Sequence, residues 1–169
     1  MRKAGFVNFI ILLFTFGFIS AASAQNYQLH AVYINSFIKY IQWPSSEGDF
    51  VISVVGDSPI IEHLEKMAAV KKAGEKSIVI KKFTSVKDIT NSDIIFLPKE
   101  SNINLSDIIT KAKSWNTLII TEKEGLGIEG SGINFVERNG KLSFELNKSS
   151  LEAAQLKVST ELTRLAILI

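Results

Sequence analysis

Phe50-Val-Ile-Ser-Val-Val55, running directly into Gly56-Asp57-Ser58-Pro59, is the stretch on which the fold turns. A run that is almost wholly apolar and mostly β-branched reads as a strand buried on both faces, because a half-exposed strand would alternate apolar with polar residues. The Gly-Asp-Ser-Pro segment ends it and opens a helix, with Ser58 as N-cap, Pro59 at the first helical position and Gly74 just past the far end. A buried strand feeding straight into a helix is the first half of a βαβ unit. Downstream the alternation continues. Ser77–Phe83, Asp93–Leu97 and Thr117–Thr121 read as strands, and Asn104–Trp115 as a helix with Asp107 in its first turn. The expected fold class is α/β, a mixed, largely parallel sheet covered by helices.

Outward from this centre, residues 27–42 predict an amphipathic helix. Tyr27, His30, Ala31, Ile34, Phe37, Ile38 and Ile41 fall on one stripe, and Trp43-Pro44 ends it. On the other side, Ile133–Glu137 and Lys141–Leu146 flank Arg138-Asn139-Gly140, and Asn-Gly marks a tight hairpin. Ser149 with Glu152 predicts a capping box opening a final helix, whose apolar stripe is Leu151, Ala154, Val158, Leu162 and Leu165. The sequence ends on Ala166-Ile-Leu-Ile169, an apolar end that must pack on the body or on a partner.

The N-terminus has the zones of a secretory signal peptide: Arg2 and Lys3, an apolar Phe6–Ile19, and Ala22-Ser23-Ala24 before a cleavage site ahead of Gln25. Residues 1–24 are therefore expected to be removed on export from the cytoplasm, leaving 25–169 as a single domain. An uncleaved anchor is the competing reading, but Asn8, Thr15 and Gly17 interrupt the apolar run. Of the 19 Lys and Arg, two lie in this segment, and none of the 17 acids does, so the remainder is balanced. Such a balance gives no support to a nucleic-acid partner. Lys71, Lys72, Lys76, Lys81 and Lys82 read as solvated and strand-edge lysines. With no cysteine, lipid attachment through an N-terminal cysteine, disulfides and thiol chemistry are excluded.

Chemistry-bearing motifs are sparse. The two histidines, His30 and His63, sit on different predicted helices with no metal-ligand spacing. His30 falls on an apolar stripe, and His63 reads as solvent-facing. No nucleophile elbow, P-loop or dinucleotide fingerprint is present, so no catalytic residue, metal or cofactor is expected. Gly125–Gly132 is glycine-rich but precedes a strand rather than a helix, and reads as a flexible loop between strands. Gly56, Asp57 and Ser58 are the better ligand-binding candidates. They leave the carboxyl end of a central strand, where open α/β sheets bind ligands, although turn formation and capping explain the same residues. Trp43 and Trp115 each close a helix, either as core edges or as interface anchors.

Ala31-Val-Tyr-Ile-Asn-Ser-Phe-Ile-Lys-Tyr-Ile-Gln-Trp-Pro44 resembles the opening helix of the YfiR-like family of bacterial periplasmic proteins. Val54-Val-Gly-Asp57 resembles that family's strand-to-turn segment, and Gly132-Ile-Asn-Phe-Val with Gly140-Lys-Leu-Ser-Phe-Glu-Leu-Asn147 its hairpin. Ala153-Ala-Gln-Leu-Lys-Val-Ser-Thr-Glu-Leu-Thr-Arg-Leu-Ala166 is similar to its closing helix. The resemblance implies a non-catalytic, dimeric periplasmic regulator that restrains an inner-membrane diguanylate cyclase, and so cyclic-di-GMP signalling, by binding its periplasmic sensor part. An outer-membrane-associated protein relieves that restraint, and a sensor kinase is the other implied kind of partner. Disulfides matter in the family, and this cysteine-free sequence departs there. The partner-binding candidates are Lys39, Tyr40 and Trp43 on the first helix and Ile167, Leu168 and Ile169 at the apolar end. The alternative is a periplasmic small-ligand binding protein built on the 56–58 loop.

Overall fold

A computed structural model describes residues 26–44 and 47–169; the signal peptide and its cleavage site lie outside the described residues. In chain order the elements are α1 (26–40), β1 (Ile41–Gln42), β2 (Phe50–Val55), α2 (Ile60–Ala68), β3 (Lys72–Ala73) and β4 (Lys76–Phe83). A 3-10 turn (Val86–Asp88) leads to β5 (Ile94–Leu97), α3 (Leu105–Ala112), β6 (Leu118–Thr121), β7 (Ile133–Arg138) and β8 (Lys141–Leu146). The chain closes with α4 (Lys148–Ala153), β9 (Lys157–Val158), α5 (Thr160–Leu165) and β10 (Ile167–Leu168). No helix among the described residues is long and apolar enough to cross a membrane.

The architecture is the α/β one expected. Eight strands form one sheet in the order β10-β8-β7-β6-β5-β2-β4-β3, with β2, β4, β5, β6 and β7 parallel and the β7–β8 hairpin antiparallel. Phe50–Val55 is a central strand, paired with β4 on one side and β5 on the other. Its two faces feed two cores, which is why its sequence does not alternate. On one face α1, α2, α4 and α5 cover Phe50, Ile52, Val54, Phe96, Ile120, Phe135 and Phe144. On the other, α3 and the segment around the 3-10 turn cover Val55, Ile95, Leu97 and Ile119.

The Asn-Gly hairpin forms as read, with Asn139 at φ 54° and Gly140 at φ 71°. A side chain at residue 140 meets nothing within 4 Å, so its cost is purely backbone. Gly140→Ala is expected to lose about 1 kcal/mol, measured by urea denaturation. A neutral result there would mean that the turn relaxes out of the left-handed region.

Several local readings are corrected. The first helix ends at residue 40, and Ile41–Gln42 straighten into β1, which pairs antiparallel with β9. Pro59 rather than Ser58 is the N-cap of α2, although Ser58 Oγ still accepts from the Ile60 amide at 3.3 Å. Gly74 is not a helix terminus; it turns the β3–β4 hairpin, several residues beyond the end of α2 at Ala68.

The largest departure is the closing helix, which is two short helices. Gln155 adopts φ 59°, the Leu156 amide bonds to Leu151 O, and Lys157–Val158 extend to meet β1. Helical continuity is given up there because Val158 fills the space beside Ile41 and the ribbon pairs backbone that a helix would leave facing it. Asn147, not Ser149, caps α4, accepting from the Ser150 amide at 3.0 Å. Leu165 consequently leaves the buried stripe and is exposed.

The Gly125–Gly132 loop, read as flexible, is pinned against the sheet. Asn147 Nδ2 donates to Gly127 O at 2.9 Å, and Gly127 is seated where a Cβ would come within 2.6 Å of Glu145 Oε2 and 2.7 Å of Ile169 Cδ1. Beneath it lies a buried polar row: Thr121 Oγ1 donates to Asn134 Oδ1 at 2.7 Å, and Asn134 Nδ2 to Glu145 Oε2 at 2.9 Å.

Candidate functional site

The order β4-β2-β5 contains a reversal. The chain leaves β2, lays α2 on one face and returns as β4 on one side; it then crosses to place β5 on the other side of β2. The loops after β2 and β5 therefore diverge at their carboxyl ends, and such a switch point leaves a crevice. A cavity of about 490 Å³ opens along this edge, within the range of small-molecule sites. Asp57 and Pro59 reach it from β2, Lys99 and Glu100 from β5, and Glu122 from β6. The first turns of α1 close it with Tyr27 and His30, against Phe135 of β7.

Sequence reasoning placed the 56–58 loop at this edge, and the structure puts it there. Of its three candidates only Asp57 lines the cavity, and its carboxylate forms an ion pair with Lys82. Ser58 Oγ is occupied by the Ile60 amide, and Gly56 lies behind, its amide donating to Phe83 O at 2.8 Å.

Glu122, passed over in the sequence, is the dominant feature. It follows Leu118–Thr121 directly, so it stands at the mouth of a wholly buried strand. Its Oε1 is buried and has no hydrogen-bond partner among the described residues, while Oε2 accepts a long bond of 3.5 Å from the Tyr27 hydroxyl. Burial first, then the neighbouring Glu100 carboxylate, push its pKa up to about 7; the charge of Lys99, the Tyr27 hydroxyl and the Lys99 backbone N–H oppose the rise. The same burial, with Glu122 and Glu100, pushes the Tyr27 phenol up to about 12. His30 moves the other way, lowered by burial and secondarily by Lys99. Because a carbonyl can only accept, His30 Nδ1 carries the proton that bonds to Asn26 O at 2.7 Å, and neutral His30 keeps Nε2 as an acceptor. Its ring meets Phe135 edge-on at 4.3 Å.

The partner-binding candidates fall in two places. Lys39 and Tyr40 are exposed on the last turn of α1, whereas Trp43 is half-buried, its Nε1 donating to Ile38 O and its ring standing at 89° on Phe50. Ile167, Leu168 and Ile169 sit on an edge of the eight-stranded sheet, where β10 pairs in parallel with β8, and they are 37–48% exposed. Two residues the sequence reading missed extend the first group. Leu29 and Val32 are 42% and 56% exposed and share the outer face of α1 with Tyr40. Their spacing of three and eight residues was the available signal.

Among the described residues, no group of three or more His, Asp or Glu side chains is placed to hold a metal ion. Residues 27–167 match the protein family described as YfiR/HmsC-like. No curated protein matches the chain.

Proposed function

The chain belongs to the YfiR/HmsC-like family of periplasmic regulators, and from that premise we propose that it is a non-enzymatic regulator that binds and restrains the periplasmic part of an inner-membrane signalling protein. A diguanylate cyclase or a sensor kinase is the kind of partner meant, and the regulator acts as a homodimer after its signal peptide is removed. The observation that carries the reading is the apolar outer face of α1. Leu29, Val32 and Tyr40 hold large apolar surface in water on a helix whose opposite face is fully committed to the core. Exposed apolar groups gathered on one face mark an interaction surface rather than chance exposure. Lys39 lies beside them as a rim charge, and Trp43 holds the end of the helix in place from behind. The Ile167–Ile169 edge is the second surface of the regulator, open to another chain along β10.

The test is capture of the signalling protein's periplasmic part by the mature regulator. Val32→Glu with Tyr40→Ala is expected to weaken capture at least about tenfold, an ordinary effect for losing an aromatic anchor. Since surface changes of this kind alter stability by only about 0.5 kcal/mol, the melting curve should stay in place. Undiminished capture by the double variant takes α1 out of the interface. A second reading, recognition of a small ligand in the carboxyl-edge cleft, is favoured by the buried, unpartnered Oε1 of Glu122.

A further inference from the structure

We propose that the carboxyl-edge cleft is a binding site for a small organic cation, an ammonium or guanidinium group on an apolar or aromatic body, held by Glu122 at its base. The inference rests on the ligand reading of the cleft and assigns the chemistry of what enters it. A buried carboxylate oxygen without a donor is costly, and a charge-assisted N–H donor satisfies it best.

The surrounding charges select the sign. Lining the cleft with Glu122 are Asp57 from the β2 loop, Lys99 and Glu100 from the β5 loop, Glu124 beyond β6, and Glu137 and Arg138 from β7, with Tyr27 and His30 on α1. Four of these are already paired: Asp57 with Lys82, Lys99 with Glu100 at 3.7 Å, and Arg138 with Glu145 at 3.4 Å. Glu122, Glu124 and Glu137 have no ion-pair partner among the described residues. An anionic ligand meets net repulsion there. A neutral one leaves the acid uncompensated.

The walls select the body. Tyr27, His30 and Phe135 form a run of rings, 5.4 and 4.3 Å between successive centroids, suited to an apolar or aromatic body and to cation–π attraction. Glu122 titrates near neutrality, so a cation that binds its carboxylate displaces a proton. Affinity therefore rises with pH up to about 7 and levels off above it.

Titration calorimetry on the mature protein tests this with phenethylamine, methylguanidinium and spermidine as cations, and with phenethyl alcohol and phenylacetate as the neutral and anionic counterparts of the first. At least one cation is expected to bind, with Kd falling by up to about tenfold per pH step below neutrality. Phenethyl alcohol and phenylacetate should bind at least about tenfold more weakly than phenethylamine. Glu122→Gln should remove most of the cation affinity, and Lys99→Ala, which takes away a like charge, should strengthen it. A retained near-UV spectrum in both variants shows that they fold. Any of three results overturns the assignment: Glu122→Gln binding the cation unchanged, the alcohol or acid binding as tightly as the amine, or no cation binding at about 10 mM, a Kd too weak to matter. Binding of the alcohol or acid alone leaves the cleft a ligand site of another class, whereas silence from every probe takes the ligand reading down with it.

Discussion

Glu122→Gln is expected to stabilise the protein by on the order of 2–3 kcal/mol at pH 8 and to leave it nearly unchanged at pH 5. The sign follows from the direction of the shift. The carboxyl ionises near 4.5 when exposed and near 7 in the fold, so the native state holds its proton more tightly than the unfolded chain. The stability linked to that proton is complete below about 4.5, drains away as pH rises, and is gone above about 7. Glutamine is neutral throughout and escapes the loss. His30, whose lowered pKa destabilises the fold in acid, is present in both proteins and cancels in the difference. Urea denaturation at the two pH values measures the effect. Equal stability differences at pH 5 and pH 8 would show that Glu122 is solvated in the native protein.

Phe37→Ala should cost about 3–5 kcal/mol, the usual range for emptying a phenylalanine site in a core. The ring is fully buried and contacts Phe144 at 5.1 Å and Phe135 at 5.8 Å, with Tyr33 at 6.2 Å on its own helix. Those two partners are a cross-strand pair of the β7–β8 hairpin, so the hole cannot close without moving the sheet. Small domains are stable by about 5–15 kcal/mol, and this variant loses a large part of that. The urea midpoint reads the loss. A decrease below about 1 kcal/mol would mean that α1 is not packed on the hairpin as described.

The contrast between Phe37 and Tyr40, three residues apart on one helix, also marks what was legible in the sequence. Period alone separates the committed face of α1 from its outer face, and the uninterrupted Phe50–Val55 run places that strand between two cores. Asn139-Gly140 announced its hairpin through backbone preference. Local rules failed where a distant segment decides the outcome. Leu151, Ala154 and Val158 keep helical spacing, yet Ile41 claims Val158 as a strand partner. Nothing near Val158 in the sequence carries that information.

The cleft was half legible for the same reason. Gly56-Asp57-Ser58 could be placed at a strand's carboxyl end because strand and loop are adjacent in the chain. Glu122 becomes distinctive only through Tyr27 and Glu100, which the topology brings to it. A glutamate after an apolar strand is ordinary. One whose oxygen is shut away from water is not, and burial of a single atom has no local sequence signature.

The β1–β9 ribbon has a consequence for how the chain comes together. Ile41 meets Val158, and the Tyr40 carbonyl accepts from the Ser159 amide, so the first described helix is secured by residues near the other end. Closing so long a loop is entropically slow, and no local contact substitutes for it. The apolar face of α1 shares its core with β2, α2 and β5, but the end of the helix is fastened only once the segment around Val158 has joined it. The two ends of the chain are thus fastened to each other, and the fold is complete only when the last piece of the lock is in place.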